Sequence, residues 1–335
     1  MIVDCAHYRD GVRQHEGPLP LEEAAARCGE GGFVWLGMFE PPAEELAKVQ
    51  AAFGLHELAI EDAQSFHLRP KAEHYESGIY FVILRTARYL DDTEEVEFGE
   101  ISVFLGPNFV ITVRQGAASD LHGGRLRLER HPELLATGSG SVLWAVVDCV
   151  IDGYAPVVEG LERDIEEVEA TVFSGAPAPI ERIYLLRREV TDFYRAVHPL
   201  LAPFDLLLRR GGYADLIKGE LLPYFRDIQD HLRLVNEEVA AQRDLLTTVL
   251  EANLALISVE QTRISLTQTD AMRQLTVIAT VFLPLSFVLG FFGQNFTWLV
   301  TNIKSFAAFA GLGLGGLVLP CVALGIWLRR GSHQR

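Results

Sequence analysis

The chain has 335 residues, 49% of them apolar, and a formal net charge of −16 at pH 7. This length leaves room for a soluble core and a membrane part in one protein. The acidic balance argues against a nucleic-acid binder, because phosphate recognition needs a basic face, and it favours cations as partners. The four cysteines form no C-x-x-C pair, so neither a zinc ribbon nor a disulfide framework is predicted.

The first part of the chain has the patterns of a mixed α/β domain. The predicted elements are strands at residues 33–38 and 77–89 and an amphipathic helix at residues 43–53. The β-rich run 95–115 is interrupted by Gly106-Pro107-Asn108, a turn signal that predicts a hairpin. We therefore expect a sheet flanked by helices.

The pattern changes to long helices from residue 141. Residues 141–173 are largely helical in period, and a loop at 174–179 separates them from a second helix, which predicts a helical hairpin. The first helix carries an acidic run, Glu159, Glu162, Asp164, Glu166, Glu167 and Glu169. We interpret this run as a solvated face, the alternative being an element that attracts cations.

A single helix is predicted to run from the cytosol into the membrane, because no proline lies between Pro223 and Pro284. Its first part has apolar residues at heptad spacing, which suit packing against other helices or other subunits. These residues are Ile228, Leu232, Val235, Val239, Leu246 and Val249. Nearer the membrane the pattern becomes polar, which indicates a wet vestibule rather than a dry coiled coil.

Residues 272–296 form the most informative stretch. No charged residue lies between Arg273 and Lys304. This uncharged stretch is long enough for a transmembrane helix of about 20 residues. The stretch nevertheless contains hydroxyl side chains and ends in two amides, Gln294 and Asn295, which are costly in lipid unless they face water or protein. This conflict predicts the pore-lining helix of a channel or transporter.

Within that helix one stripe follows alternating four- and three-residue steps. Its members are Met272, Thr276, Ala279, Leu283, Ser286 and Gly290. Two membrane helices cannot enclose a polar path, so a transporter built this way must assemble around an axis. The alternative is that the stripe only packs helices together.

A second apolar segment spans residues 305–328 and is followed by arginines at 329, 330 and 335. By the positive-inside rule these arginines place the C-terminus in the cytosol, and the polar N-terminal thirty residues lead us to expect the N-terminus there too. Residues 311–316 match G-x-G-x-x-G without a preceding strand, so we interpret Gly311 and Gly315 as small residues for helix packing.

The sequence LTVIATVFLPLSFVLGFFGQNF (275–296) resembles the first transmembrane helix of the CorA-type divalent-cation channels, whose hallmark there is Gly-Met-Asn. Residues 59–84 and 223–246 resemble the family's acidic-pair segment and the start of its stalk helix. The resemblance implies a funnel-shaped homopentamer in the inner (plasma) membrane, with an α/β cytosolic domain followed by long α-helices and two C-terminal transmembrane helices.

The implied organisation has seven segments: a cytosolic α/β domain (1–140), a helical hairpin and connection (141–219), a cytosolic stalk helix (220–271), transmembrane helix 1 (272–293), an extracytoplasmic loop (294–304), transmembrane helix 2 (305–328) and a basic cytosolic tail (329–335). The partners implied are other copies of the chain, membrane lipid and divalent metal ions. No cofactor is implied, because the divalent cation is both substrate and regulator.

The resemblance assigns the selectivity filter to Gly293, Gln294 and Asn295, whose oxygens would accept hydrogen bonds from the water of a hydrated ion. It assigns Met272, Leu275, Leu283, Ser286 and Gly290 to the pore, with Leu275 near a hydrophobic constriction. The four- and three-residue spacing of the stripe favours Thr276 over Leu275 as the pore-facing residue, whereas the resemblance favours Leu275.

Two departures from the family pattern bear on ion preference. Gln294 replaces the usual methionine, and residues 297–304 carry no carboxylate. Magnesium is the first choice, with cobalt or nickel also considered. The alternative within the family is a zinc transporter, which could be coupled to protons.

The resemblance also points to a gate. Asp62, next to Glu61, and Asp227 would be facing carboxylates that bind cytosolic metal between subunits and hold the pore closed. The alternative is that both are solvated surface acids. No G-x-x-x-x-G-K phosphate loop is present for ATP, so we expect passive transport driven by the membrane potential.

Two other classes of protein compete with transport. An enzyme would need His56, Glu57, Glu61, Asp62, His67 and His74 to form a metal-hydrolase cluster, but no H-E-x-x-H or G-x-S-x-G motif organises them. We therefore expect that the protein is not an enzyme. A membrane-anchored signalling or scaffold protein would explain the membrane helices, but it gives no reason for Gly-Gln-Asn at the membrane exit.

Overall fold

The computed structural model describes residues 1–67, 69–75, 78–118, 120–174, 179–208, 217, 219–293 and 297–331. The chain divides into two compact units, Met1–Leu254 and Ala255–Arg335. The boundary between them falls inside the longest helix.

The strands are β1 (Ile2–Arg9), β2 (Val12–Arg13), β3 (Phe33–Phe39), β4 (Lys71–His74), β5 (Tyr80–Leu90), β6 (Glu95–Leu105) and β7 (Phe109–Gln115). The helices are α1 (Leu21–Arg27), α2 (Ala43–Phe53), α3 (Glu57–Gln64), α4 (His122–Glu129), α5 (Pro132–Leu135), α6 (Ser139–Asp152), α7 (Tyr154–Phe173), α8 (Ile180–Val197), α9 (Leu201–Leu208), α10 (Leu222–Gly293), α11 (Thr297–Asn302) and α12 (Phe306–Gly331). Short 3₁₀ turns precede α9 and α10.

The first unit is built on one mixed sheet with the strand order β2-β1-β3-β7-β6-β5-β4. Strands β3 and β7 pair in parallel, and the other neighbours are antiparallel. The predicted hairpin is confirmed, because β6 and β7 join at residues 106–108 and pair Leu105 with Val110. The predicted strand at 33–38 and the predicted helix at 43–53 are also confirmed.

Side chains alternate across the sheet and build two hydrophobic cores. Trp35, Val103 and Val110 face the core that is covered by α6, α7, α8 and the first part of α10. Leu36 and Phe104, their neighbours in the chain or in the sheet, face the other core, which is covered by α1, α2 and α3. The expected sheet flanked by helices is therefore a three-layer α/β/α arrangement.

The heptad residues of α10 lie in the first of these cores. Ile228, Leu232, Val235, Val239, Leu246 and Val249 are all buried there. They pack within the same chain, against the helices that cover the sheet.

The helical stretch Ser139–Phe173 is also apolar enough to cross a membrane, but 67% of its most apolar window is buried in this core. It is thus a core element of the first unit.

Two details of the helical prediction need correction. The run 141–173 is two helices, because α6 ends and α7 begins at Gly153. The acidic run on α7 is not wholly a solvated face, because Asp164 is only 3% exposed. Its carboxylate accepts hydrogen bonds of 2.9 and 3.0 Å from the Tyr89 hydroxyl, since β5 lies directly against this turn of the helix. Its neighbours Glu162 and Glu166 are exposed as expected.

The second unit contains the last part of α10, together with α11 and α12. None of the apolar window of the helix Gly219–Gly290 is buried in the single chain, which suits a segment surrounded by lipid or by other subunits. A Cβ added at Gly316 of α12 would lie 3.3 Å from Val288 of α10, so the two helices are in close contact there. A Cβ built at Gly311 or at Gly315, which are predicted for such packing, would meet no described atom within 4 Å.

Candidate ion pathway and metal site

The predicted pore residues lie on an uncovered surface of α10. Met272, Leu275 and Leu283 are each about 70% exposed. Thr276 is also exposed, but its hydroxyl donates a 2.8 Å hydrogen bond to the main-chain oxygen of Met272 and so needs no other partner. The single chain therefore leaves this face free for water, lipid or another copy of the chain.

A different face of α10 is partly covered. Thr280, Pro284, Leu285 and Val288 are half-buried, and Val288 is the residue next to Gly316 of α12. At about 100° per residue, the predicted pore stripe lies on roughly the opposite side of the helix from these four residues. Helix α12 thus supports α10 from behind the stripe.

The proposed selectivity filter is described only in part. Gly293 is the last residue of α10 and is exposed, and a Cβ built there would meet no atom of the described residues within 4 Å. Gln294 and Asn295 lie outside the described residues, so their role stays a prediction.

Asp62, predicted to bind regulatory metal, lies on α3 with its carboxylate already engaged. Oδ2 accepts a short hydrogen bond from Lys71 Nζ, and Oδ1 lies 3.5 Å from His67 Nε2. Lys71 also forms an ion pair of 3.0 Å with Glu73 Oε1. The neighbouring acid, Glu61, is exposed. The Asp62 carboxylate is consequently the centre of a small ionic network.

This network continues to a buried carboxyl. Glu100 is only 1% exposed, and its oxygens accept from the main-chain nitrogen of His67 at 2.6 Å and contact the ring Nδ1 of His67 at 3.3 Å. Burial raises the pKa of Glu100 above its ordinary value, although the hydrogen bonds and charge of His67 oppose the shift. The loop between α3 and β4 is thereby tied to the sheet.

The same contacts affect the pKa of Lys71. Partial burial lowers its pKa, but the hydrogen bonds and negative charge of Asp62 and Glu73 outweigh that effect and raise it above the ordinary value. Lys71 therefore holds its proton more firmly than a lysine without these partners.

Asp227, the second predicted metal ligand, lies on the first part of α10. It is exposed, and no described residue forms an ion pair with it. Its charge contributes to the raised pKa of the nearby Asp148, whose main cause is burial, followed by Asp152. The charge of Arg127 partly neutralises these two aspartates, since its Nη1 lies 2.7 Å from Asp148 Oδ2 and 3.3 Å from Asp152 Oδ2.

Asp62 and Asp227 lie on helices, α3 and α10, that pack on opposite faces of the sheet. Among the described residues no group of three or more His, Cys, Asp or Glu is placed to hold a metal ion. The histidines of the imagined hydrolase cluster are dispersed: His56 stacks on Tyr75 and His74 stacks on Tyr80.

A family model described as "CorA-like Mg2+ transporter protein" matches residues 30–330. The chain belongs to this family. The resemblance drawn from the sequence is thereby confirmed, as is its coarser consequence that the protein is a member of a family of divalent-cation transporters and not of an enzyme family.

Named relatives of this CorA-family chain agree. It is 30% identical over 283 residues to a Bacillus subtilis protein named as metal ion transporter YfjQ, covering 84% of each chain. It is 27% identical to the cobalt/magnesium transport protein CorA of Thermotoga maritima, covering 75% of this chain and 70% of the relative. The zinc transport protein ZntB of Yersinia pseudotuberculosis also matches, at 24% identity over 78% of this chain and 76% of the relative.

A solved structure shows the same fold. The complete CorA magnesium transporter of Methanocaldococcus jannaschii matches with a TM-score of 0.62 and 18% identity, covering 96% of this chain and 98% of that one. The soluble α/β part followed by a long helix is thus the architecture of the CorA fold.

Three residues around Asp62 were not predicted as part of the site. The sequence patterns assign no role to Lys71 or Glu100, and they place His67 only in the hydrolase cluster, which no motif supports. The one signal available was that all of them except Glu100 lie in the segment 59–84 that resembles the family. Their ion pairs depend on how a loop returns to the sheet, which no local pattern specifies.

Proposed function

We propose that this CorA-family chain carries divalent metal cations passively across the inner (plasma) membrane, with both termini in the cytoplasm. The observation that carries the proposal is the apolar window of α10, none of which is buried, in a chain whose family is one of cation transporters. An exposed apolar helix needs lipid or other subunits around it, and a polar path needs several such helices. The seven segments given above, and assembly as a homopentamer, are part of this proposal.

The pore would be lined by the stripe of α10 that faces away from α12. Its members are Met272, Leu275 or Thr276, Ala279, Leu283, Ser286 and Gly290. At about 100° per residue, Leu275 lies about 155° from the middle of the half-buried face and Thr276 about 105°. This geometry supports Leu275 as the residue nearer the axis, where five copies would form a hydrophobic constriction.

The mouth of the pore would read a hydrated ion. Magnesium holds its water tightly and prefers octahedral oxygen coordination, so a ring of amide oxygens suits it better than a site that strips the water. We assign this ring to Asn295, assisted by Gln294 and the main-chain oxygen of Gly293. Magnesium is the first choice of substrate, and cobalt or nickel are the next.

Zinc transport is the second candidate function. Two features favour it: Gln294 where the family has methionine, and an outer segment, residues 297–304, without a carboxylate to attract magnesium. A named zinc transport protein is also among the relatives. Coupling to protons belongs to this candidate.

Closure would follow cytosolic metal binding at Asp62 and Asp227, with Glu61 nearby. The two aspartates lie on elements that pack on opposite faces of the sheet, which supports a site shared between neighbouring subunits rather than one within a chain. Carboxylates supplemented by water bind a hard cation weakly, which suits sensing of an abundant ion.

The filter can be tested with purified full-length protein in liposomes that contain a metal-sensitive dye. We predict that Asn295→Ala lowers magnesium uptake to the level of empty liposomes, because the ring of oxygens is lost. Asn302→Ala changes another asparagine beyond the first membrane helix and should leave uptake unchanged. Wild-type uptake no greater than that of empty liposomes would contradict the transport proposal itself.

The preferred ion is tested in the same assay by competition among magnesium, zinc, cobalt and nickel. If Gln294 tunes selectivity, Gln294→Met should move the ranking toward magnesium. An unchanged ranking would show that Gln294 has no part in selection.

The gate is tested by varying magnesium on the cytosolic side. We predict that the double variant Asp62→Ala and Asp227→Ala loses inhibition by internal magnesium while its uptake at low magnesium persists. Asp230→Ala, an exposed acid one turn along α10 from Asp227, is the matched control. Wild-type inhibition in the double variant would contradict the gating role.

A further inference from the structure

Lys71 occupies the position at Asp62 that an incoming cation would need. Its ammonium nitrogen donates to Asp62 Oδ2, and both side chains are partly shielded, at 32% and 24% exposure. The other oxygen of Asp62 faces His67 Nε2 at 3.5 Å. Both oxygens of the carboxylate are therefore engaged by nitrogen groups of the same chain.

The chain also offers Lys71 an alternative partner. Glu73 Oε1 lies 3.0 Å from the same ammonium, and Tyr75 holds the other oxygen of Glu73 through a 2.7 Å hydrogen bond. Glu73 is two residues along the edge strand β4, and its contacts with Lys71 and Tyr75 do not involve Asp62. Lys71 can release Asp62 and keep a counter-ion.

This arrangement has a consequence for any divalent cation at Asp62. The cation must displace the ammonium group or bind beside it, and like charges at such distances repel each other. The binding free energy is lowered by the cost of breaking the Lys71–Asp62 pair, and that cost is reduced by the presence of Glu73.

We propose that Lys71 is an intramolecular competitor of the divalent cation at Asp62 and so sets the cation concentration at which the gate closes. This inference rests on the proposed gating role of Asp62. Glu73 has the complementary role of receiving Lys71 when the cation binds.

The test uses purified full-length protein in liposomes, with the magnesium concentration for half-inhibition of uptake as the readout. Lys71→Met keeps the aliphatic stem and removes the charge, and it should lower this concentration by about threefold to fivefold, as expected for one half-exposed ion pair. Lys71→Arg keeps the charge and should lower it by less than Lys71→Met does. Glu73→Gln should raise it, because Lys71 is then held more firmly on Asp62.

A double-mutant cycle separates the competitor role from a general change in charge. In the Lys71→Met background, Glu73→Gln should have a smaller effect on the half-inhibition concentration than in the wild type, because Glu73 acts through Lys71. Arg88→Met is the matched control: it removes an exposed cation of β5 that is paired with Glu97 at 2.6 Å, and it should shift nothing.

A second readout does not depend on transport. Magnesium that binds the folded protein raises its thermal unfolding midpoint by an amount that grows with the ratio of its concentration to the dissociation constant, so the dissociation constant fitted over a magnesium series reports binding directly. It should shift in the same direction as half-inhibition in each variant.

The outcomes distinguish the two proposals. If Asp62→Ala abolishes magnesium inhibition but Lys71→Met leaves the half-inhibition concentration unchanged or raises it, the competitor role is wrong and the gate stands. If Asp62→Ala retains wild-type inhibition, the gate is wrong and the competitor role falls with it.

Discussion

At the residue scale, a few carboxyl groups of this acidic chain are buried, and their contacts determine their pKa. Asp164 is held by the Tyr89 hydroxyl and lies 3.6 Å from Arg182. Burial raises the pKa of Asp164, with the hydrogen bond from Tyr89 opposing the shift. An acidic run at helical spacing predicts a solvated face, and the sequence has no local signal that β5 will reach one member of the run.

Glu189 on α8 is half-buried close to this carboxyl. Burial raises the pKa of Glu189 to about 7, and the negative charges of Asp164 and Glu95 add to the shift, against the charge of Arg182. Because the folded-state pKa lies above the unfolded value, the folded protein binds the extra proton between the two. The contribution of Glu189 to stability is therefore lost as the pH rises from the unfolded value to about 7.

We predict that Glu189→Gln, neutral at every pH, stabilises the protein more at pH 8 than at pH 5. If ionisation costs ~1 kcal/mol, the difference in thermal unfolding midpoint should grow by about 2–4 °C over this range. Glu181→Gln, at an exposed position in the first turn of the same helix, is the control. A difference that is equal at both pH values would contradict the assignment.

At the element scale, the contact of α7 with β5 depends on Gly160. A Cβ added there would lie 2.4 Å from the ring of Tyr89, and the ring is held in place because its hydroxyl is bonded to Asp164 one turn along the helix. The sequence predicted a helical run over 141–173, which contains α7, and a strand over 77–89, which contains most of β5, because each has its own hydrophobic period. Their contact could not be predicted, because it depends on the tertiary packing of a helix on a sheet.

We predict that Gly160→Ala destabilises the first unit by about 1–3 kcal/mol, the usual cost of overpacking, measured as a lower thermal unfolding midpoint. Gly123→Ala on α4, where an added Cβ would meet no described atom within 4 Å, is the control and should not lower the unfolding midpoint. In a Tyr89→Ala background the cost of Gly160→Ala should fall. An equal cost in both backgrounds would mean that Tyr89 is not the obstacle.

At the scale of the whole molecule, much of the fold could be predicted because its signals are local. The Gly-Pro-Asn turn specified the β6–β7 hairpin, and the heptad residues of α10 specified a buried seam. The three-dimensional setting of the candidate site could not be predicted in the same way. The Lys71–Asp62 pair joins residues on either side of a loop. The proposed pairing of Asp62 with Asp227 joins helices that pack on opposite faces of the sheet, and no local pattern specifies it.

The central claim also concerns the whole molecule: a divalent cation moves passively through a pore that several subunits form together. A potential of 100 mV is worth about 4.6 kcal/mol to a divalent ion, so no other source of energy is needed. The direct measurement is magnesium uptake into liposomes of purified protein at a series of imposed potentials, without ATP and without a pH gradient. The account predicts uptake that rises with inside-negative potential and is lost in Asn295→Ala. Uptake that does not change with the imposed potential would contradict passive transport, as would uptake that appears only when a proton gradient is imposed.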